Sequence, residues 1–448
     1  MAVGVTRRGM KMEWTRTRGI GAGDRDRVGG RGRARVHSLA TKQPDPGIRT
    51  PAPGSRPPDS RTGSSPGTDT RTVTDTGSMG PVISEPTVPF SRNDPEGGTV
   101  TADSWSFDRV DHTELRSVLE ASGFRPPPGF KAFVARISLT HGTPSYQLAD
   151  YAGTSADRDD WWPASTVKVF AAAAALETVR SLGFTPRARV TFHYPRRPEA
   201  HTVEDLVRRA ITHSDNAAFD QLVEIVGGDE MNAWLERRGF RSTVLLRGYS
   251  RRYVDPQTKR GILRISAALT LREPGRRSVR IRAREGMRRD GCRDQGNCTT
   301  LFDLSDALRR VMLHEVLPEP ERFALGDAEI SLLRSALSGP RERGLGVVKG
   351  LREAFAPREI VCYHKPGFAL DWFSDHVFVE VAGSGADTPR YLIAMAAHGG
   401  RDVLDEAARV VGGLVASGRL AANRVPEKAD STSGRSGTSA PRPRCPTP

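Results

Sequence analysis

A serine and a lysine three residues apart open the most apolar helical stretch of the chain, in Trp162-Pro-Ala-Ser165-Thr-Val-Lys168. Residues three apart share a helix face, so the Lys168 amine can reach the Ser165 hydroxyl. Burial disfavours the charged ammonium, and a neutral amine can accept the serine proton. The helix N-terminus and the Ser165 N–H would stabilise an oxyanion. The spacing predicts an activated nucleophile; the alternative is a capping serine beside a solvent-exposed lysine.

Two further polar motifs follow in order along the chain. His213-Ser214-Asp215-Asn216 lies between two amphipathic segments, where Ser-Asp-Asn also suits an ordinary helix cap. Tyr363-His-Lys365-Pro-Gly367 enters a C-terminal strand, where the lysine can reach a substrate carboxylate. Each motif alone occurs often by chance, so the prediction depends on all three occurring in this order.

The net charge of +14 on 448 residues is unevenly distributed. Residues 251–293 carry a net +10, residues 1–37 a net +7 and residues 423–448 a net +3, so the rest of the chain is mildly acidic. The total charge therefore does not indicate a nucleic-acid-binding protein. Four cysteines exclude a disulfide-framework fold. The absence of any apolar run near 18 residues argues against a membrane-spanning protein.

Composition divides the chain into three parts. Residues 1–111 are rich in Arg, Gly, Pro, Ser and Thr and are predicted to be disordered, as is the tail 423–448. Residues 112–422 are predicted to form one folded domain with a basic insertion at 251–293.

Hydrophobic patterns predict strands at both ends of this domain and helices between them. The predicted strands are Lys131–Thr140, Tyr146–Tyr151, His376–Val381 and Tyr391–Ala397. The predicted helices are Val167–Leu182, Val203–Ile211, Ala217–Val226, Met231–Arg238, Thr300–His314, Ala328–Leu337 and Val403–Ala416. Because Val167–Leu182 lacks a polar face, it is predicted to be the most buried helix. The order favours an α/β (α+β) fold whose antiparallel sheet combines N- and C-terminal strands beside a helical subdomain.

Taken together, S-x-x-K, S-D-N and K-x-G resemble the active-site motifs of class A β-lactamases and penicillin-binding proteins, over about residues 130–416. The resemblance implies a β-lactamase-like three-layer fold and an acyl-enzyme at Ser165, with Lys168 as general base or proton relay. It implies a proton shuttle at Ser214 and substrate binding at Asn216, Lys365 and Gly367. The resemblance also implies a second backbone N–H in the oxyanion hole, and Ala369 is the candidate for it on spacing alone. Asp215 is expected to be structural.

Two departures from the family pattern bear on turnover. Pro366 replaces the usual Thr or Ser between the lysine and the glycine, which removes a hydroxyl that would bind the substrate carboxylate. Class A β-lactamases also carry a deacylating Glu on the loop that would follow Gly239. The equivalent stretch, residues 245–253, has no carboxylate, and Asp255 is a weak substitute. The sequence therefore supports acylation of Ser165 more strongly than hydrolysis of the resulting β-lactam ester.

The resemblance implies hydrolysis of β-lactams, with a D-Ala-D-Ala peptidase or an esterase as alternatives on the same fold. A third alternative is a catalytically weak module that binds cell-wall or anionic polymers. The partner is expected to be a small-molecule β-lactam or a peptidoglycan-derived substrate. No cofactor, metal, nucleic acid or transmembrane segment is expected, and the protein is expected to be a monomer. The family implies a periplasmic or extracellular location, although no signal peptide is recognisable.

The basic insertion leaves several interpretations open. Gly261–Leu271 and Ser278–Arg284 alternate like strands around Pro274-Gly275, which predicts a basic hairpin. It can attract an anionic substrate, engage an acidic polymer, or be a solvated surface. Cys292 and Cys298 can form a small disulfide loop or remain free thiols, and a disulfide would indicate an oxidising compartment.

Overall fold

The computed structural model describes residues 105–250, 265–286, 292, 296–339, 346–383, 385 and 388–419. The α-helices are α1 Glu114–Ala121, α2 Lys168–Ser181, α3 Val203–Thr212, α4 Asn216–Val226, α5 Gly228–Arg237, α6 Leu301–Met312, α7 Asp327–Leu337, α8 Val348–Phe355 and α9 Arg401–Ala416. The strands are β1 Lys131–Thr140, β2 Thr143–Asp150, β3 Arg189–Phe192, β4 Glu199–Thr202, β5 Val244–Leu245, β6 Ile265–Ser266, β7 Leu269–Arg272, β8 Val279–Ile281, β9 Arg284–Glu285, β10 Asn297–Cys298, β11 Ile360–His364, β12 Gly367–Ala369, β13 Trp372–Val381 and β14 Arg390–His398.

The main sheet joins strands from both ends of the described chain, which confirms the predicted fold class. Its order is β11-β13-β14-β1-β2, and β12 pairs with β13 along the same edge as β11. The pairings are antiparallel, and β1 pairs with both β14 and β2. The hairpin that the sequence predicts begins at Lys131 as expected, and its second strand begins earlier than predicted, at Thr143.

Alternation along β1 places two apolar cores on the two faces of the sheet. Phe133, Ala135 and Ile137 join the core that includes the helical subdomain, whereas Ala132 and Val134 join the core beneath α1, α8 and α9. Successive side chains of a strand point to opposite faces, so one strand contributes to both cores. The sheet is therefore the middle layer of three, and it is buried on both sides.

Helix α2 is the most enclosed helix among the described residues, as its lack of a polar face predicts. Its residues 168–176 are all buried, and Lys168 itself has an exposed fraction of 0%. The preceding residues Ala164–Val167 form a 3-10 turn rather than the first α-helical turn. The motif serine therefore lies in a tight turn, and the motif lysine is the first α-helical residue.

The described part of the basic insertion forms strands, as predicted, and joins strands that the sequence patterns do not reveal. Strands β7 and β8 pair as a hairpin and extend β3 and β4 into a four-stranded sheet of order β4-β3-β7-β8. Residues 261–264 of the first predicted strand lie outside the described residues. Cys292 and Cys298 are joined by a disulfide, which decides between the two alternatives.

The described chain starts with aromatic residues that pack on the domain. Trp105 stacks with Phe302 on α6, with ring centroids 5.4 Å apart, and Phe107 contacts the same ring. The buried Arg309 guanidinium lies 5.0 Å from the Trp105 ring centroid. Residues 105–111 precede the boundary that composition predicts, and the other residues of the two predicted disordered ends lie outside the described ranges.

Within the described ranges, no helix is long and apolar enough to cross a bilayer. The same residues contain no group of three or more His, Cys, Asp or Glu side chains that could hold a metal ion.

Candidate active site

The turn before α2 holds the motif serine in a constrained backbone. Ala164 has a φ of 47°, in the left-handed region that non-glycine residues rarely adopt. Ser165 follows it, partly exposed, while Thr166 and Val167 are buried. Such strain persists only where surrounding contacts enforce it, and it is common at functional sites. The fold therefore fixes Ser165 at the surface of an otherwise buried segment.

Lys168 reaches from α2 to the loop between α3 and α4. Its Nζ donates to the Ser214 carbonyl at 2.5 Å and to the Asn216 Oδ1 at 2.8 Å, and lies 3.4 Å from the Ser214 Oγ. These contacts bring the first and second motifs together. The alternative of a solvent-exposed lysine is excluded, because the side chain is fully buried.

Lys365 brings the third motif to the same hydroxyl. Its Nζ donates to the Ser214 Oγ at 3.0 Å and to the carbonyl of Pro366 at 3.1 Å, and its exposed fraction is 0%. Ser214 thus contacts two buried amines, one from the start of α2 and one from the segment between β11 and β12. Two amines that share one hydroxyl provide hydrogen-bond donors suited to a carboxylate or an oxyanion.

The loop that carries Ser214 is held by its neighbour Asp215. Ser214 has a φ of 55°, and Asp215 caps α4 by accepting from the N–H groups of Ala217 and Ala218. The Arg209 guanidinium donates to the other Asp215 oxygen at 2.6 and 2.9 Å. Burial opposes ionisation, but the arginine and the cap hydrogen bonds outweigh it and lower the pKa of Asp215. The expectation that Asp215 is structural is confirmed.

Gly367 lies directly against the turn Ala164–Val167, which carries Ser165. A Cβ at this position would lie 2.6 Å from the Pro163 carbonyl oxygen, 2.9 Å from the Ser374 Oγ and 3.1 Å from the backbone nitrogen of Ser165. Only a residue without a side chain allows β12 to approach the turn this closely. The third motif therefore needs glycine because there is no room for a side chain at this position, not because the backbone has a positive φ.

The register of β12 determines which of its N–H groups face the open edge, and it explains Pro366. The Lys365 N–H donates to the carbonyl of His376, and hydrogen-bonded positions alternate in an antiparallel pair, so Gly367 and Ala369 also bond to β13. The two-residue turn after Ala369 has positive φ at both positions, which fits this pairing. Pro366 thus occupies a position that needs no N–H. The N–H of Ala369 is used within the hairpin, and the N–H that faces the open edge belongs to Phe368.

The model of the beta-lactamase enzyme family (Beta-lactamase2) matches residues 147–414, more than half of the chain. The chain belongs to this family. Among solved structures, PBP-A is 16% identical, with a TM-score of 0.46 over 68% of this chain and 97% of that chain. The class A beta-lactamase of the last common ancestor of Gram-negative bacteria is 22% identical, with a TM-score of 0.42 over 66% and 96%. A beta lactamase from Burkholderia vietnamiensis is 17% identical, with a TM-score of 0.44 over 69% and 97%. No curated protein sequence matches significantly.

In this member of the family, a tyrosine that the sequence motifs do not include lies beside the turn Ala164–Val167. The Tyr249 hydroxyl donates to the carbonyl of Ala164 at 2.7 Å, and the Lys168 Nζ lies 5.9 Å from the ring centroid. The ring stacks on Phe219, and burial raises the pKa of the phenol. Tyr249 lies in the loop where class A β-lactamases are expected to carry a glutamate. The signal available in the sequence was a tyrosine among Gly, Ser and Arg, four residues before a second tyrosine at 253.

The Tyr249 loop is fastened to the domain through three buried polar side chains. The Asp220 carboxylate accepts from the N–H groups of Tyr249 and Ser250 at 2.8 and 2.7 Å. The Asn297 Oδ1 accepts from the N–H groups of residues 246 and 247, and the Asn232 side chain bonds to both polar groups of the Leu245 backbone. Asn297 is next to the disulfide-bonded Cys298. Asp255, the substitute acid proposed from the sequence, lies outside the described residues.

His376 is a buried, unsatisfied histidine beneath the site. Both ring nitrogens lack a hydrogen-bond partner among the described residues, and the ring is fully buried on β13. Burial, reinforced by the nearby positive groups of His364 and Lys365, lowers the pKa of His376 to about 3. By contrast, the His364 Nδ1 lies 2.9 Å from the Asp375 carboxylate. The site is therefore underlain by a neutral imidazole.

Acid is expected to destabilise the fold through His376. In the unfolded chain this imidazole binds a proton near the ordinary histidine pKa of 6.5, whereas in the folded chain it does so only near pH 3. The contribution of His376 to stability is therefore full above pH 6.5 and is lost as the pH falls towards 3. Between pH 7.5 and 5.0 the free energy of unfolding should fall by about 2 kcal/mol more in the native chain than in His376→Leu. Urea unfolding at the two pH values measures this difference, and identical pH dependence in both chains would contradict the assignment.

Proposed function

We propose that this protein is a penicillin-reactive serine hydrolase that opens β-lactams, or related amides, through an ester at Ser165. The observation that carries the proposal is the convergence of Lys168 and Lys365 on Ser214, beside the constrained turn that presents Ser165. In the proposed roles, Ser165 is the nucleophile, Lys168 and Ser214 transfer protons and Lys365 is the anion-binding amine, and the contacts on Ser214 support this assignment. Family membership supports the same class of reaction.

In the proposed acylation, the Ser165 Oγ attacks the lactam carbonyl carbon as Lys168 accepts its proton, directly or through a water. The new bond is the ester C–O bond, and the bond that breaks is the lactam C–N bond. Ser214 passes a proton to the departing nitrogen, and its contacts with both lysines suit this relay. Asn216 binds the substrate amide, and Lys365 binds the carboxylate in the place of the missing hydroxyl at Pro366.

The developing oxyanion is held by two backbone N–H groups in this proposal. One is that of Ser165, which lies against Gly367, and the other is that of Phe368, which faces the open edge of β12. Donors fixed in the backbone need no reorganisation when charge develops, which makes them effective. Phe368 therefore replaces Ala369 in the proposed site.

Hydrolysis of the ester is the slow step in this proposal. Deacylation needs a base for water, and the loop that follows α5 would carry it. Instead of a carboxylate, the described part of this loop offers Tyr249, whose phenol donates to the Ala164 carbonyl and is kept protonated by burial. Asp220 accepts two backbone hydrogen bonds and so serves as a clamp. A poor base for water favours accumulation of the acyl-enzyme.

Slow deacylation should appear as a burst. Mixing with a chromogenic cephalosporin is expected to open one equivalent of lactam per active site, which stays bound as the ester, followed by a steady rate at least about 100-fold slower. Rapid-mixing absorbance measures both phases. Steady turnover without a burst would contradict slow deacylation while leaving acylation intact, and no opening at all would contradict the proposed function.

A D-Ala-D-Ala peptidase is the second candidate, because a long-lived β-lactam ester is the behaviour expected of a penicillin-binding protein. Release of D-alanine from a peptide that ends in D-Ala-D-Ala measures this activity. Ser165→Ala is the matched control, since it removes only the nucleophile. Release that depends on Ser165 would favour the peptidase, and its absence beside rapid β-lactam opening would favour the lactamase.

A further inference from the structure

Three arginines meet on the outer face of the four-stranded sheet β4-β3-β7-β8. Arg189 on β3 lies directly opposite Arg272 on β7, and Arg280 on β8 lies opposite Thr270, so it is diagonal to Arg272. Opposed residues of an antiparallel pair share a face, with Cβ atoms about 5 Å apart directly and about 7 Å apart diagonally. We call these three residues and the surface between them the arginine face.

The sheet has one buried side and one exposed side. Val190, Phe192, Leu269 and Leu271 point inward and belong to the main core. The arginines occupy the alternate positions, and all three are exposed. Arg187 and Arg282, each two residues beyond a member of the face, are exposed as well. Positive charge therefore continues along both ends of the row.

The charge of the arginine face is not neutralised by the described residues. None of its three guanidinium groups forms an ion pair there, and the nearby Glu273 carboxylate is taken by Thr185 and Arg276. Like charges placed opposite each other destabilise a strand pair. A folded surface that keeps them together without acids is suited to a polyanion, whose binding would remove the repulsion and release counterions.

The chemistry of the arginine face narrows the choice among anionic partners. The guanidinium fork matches phosphate oxygens in a bidentate manner. The outward positions between the arginines are Thr191 and Thr270, and the ring beside them is the His193 imidazole, whose Nε2 lies 2.8 Å from the Thr270 Oγ1. No Phe, Tyr or Trp occupies these positions of the described face, so it offers little surface on which successive unpaired bases could stack. The Cys292–Cys298 disulfide fits an oxidising compartment outside the cytoplasm. We propose that the arginine face binds a phosphodiester-linked polyol polymer of the cell envelope and holds the enzyme there.

The test compares two triple variants of the full chain that lose equal charge. The first is Arg189→Gln, Arg272→Gln and Arg280→Gln. The control replaces Arg116, Arg125 and Arg419, which are exposed elsewhere on the described surface. Binding to poly(glycerol phosphate), to a polyuronate and to a single-stranded oligonucleotide with the same number of charges is measured over a range of salt concentrations. Thermal unfolding verifies that both variants are folded.

The face variant is expected to bind poly(glycerol phosphate) about 100-fold more weakly than the native chain, at roughly fivefold per arginine. Its dependence of log affinity on log salt should be shallower by about 2. The control should change less than about threefold. Equal losses in both variants, or no loss in the first, would overturn the proposal. Tighter binding of the oligonucleotide or the polyuronate to the face would overturn the assigned partner. Ser165→Ala should bind normally, so the outcome is independent of the proposed acyl transfer.

Discussion

Replacement of Lys168 by methionine is expected to slow acylation of Ser165 by a penicillin about 10²- to 10⁴-fold, the usual effect of removing a proton-transfer group. Methionine keeps most of the volume but removes the amine. It also removes the donor that the Ser214 carbonyl and the Asn216 side chain now share. The second-order rate of adduct formation, followed by intact mass, measures the loss.

Lys131→Met is the matched control for this prediction. Lys131 is a second buried lysine, and its amine is paired with Asp157 and Asp160 rather than with a residue of the three motifs. Its loss should lower stability, because it leaves two carboxylates without their cation, but should leave the acylation rate of the folded protein near the native value. Equal slowing in the two variants would show that Lys168 is only a structural residue.

Addition of a single methyl group at Gly367 is expected to slow acylation about 100-fold. The new Cβ of Gly367→Ala would overlap the Pro163 carbonyl and crowd the Ser165 N–H. This overlap would push β12 away from the turn Ala164–Val167, called here the nucleophile turn. A misplacement near 1 Å at a reacting group costs about this much in rate. The strain should also cost about 1–3 kcal/mol of unfolding free energy, measured in urea.

Gly413→Ala provides the control for the added methyl group. Gly413 lies on α9, and a Cβ there would meet no atom within 4 Å. The substitution should leave acylation unchanged and raise stability slightly, since alanine is the better helix residue. Native acylation by Gly367→Ala would contradict the close packing of β12 on the nucleophile turn.

The sequence was sufficient for the fold class and for the placement of the three motifs. Alternation over Lys131–Thr140 and the absence of a polar face on Val167–Leu182 are strong periodic signals, and both elements are present with nearly the predicted bounds. The resemblance carried by the three motifs then implied one site that contains Lys168, Ser214 and Lys365, and the Lys168 and Lys365 amines both contact the Ser214 hydroxyl.

Register and loop contacts could not be read from the sequence in the same way. The choice between Ala369 and Phe368 depends on which N–H groups face β13, and a one-residue change of register reverses that choice. The place of Tyr249 depends on Asp220 and Asn297, which are 29 and 48 residues away in the chain. Strands β3 and β4 are only four residues long, and they are stabilised by β7 rather than by their own pattern.

The central claim is an ester at Ser165, and intact-mass analysis after incubation with a penicillin tests it most directly. The account predicts one added mass equal to that of the whole penicillin, because ring opening leaves no group to depart. It predicts no addition to Ser165→Ala under the same conditions. An adduct on both proteins, or neither an adduct nor an opened penicillin with the native chain, would contradict the claim.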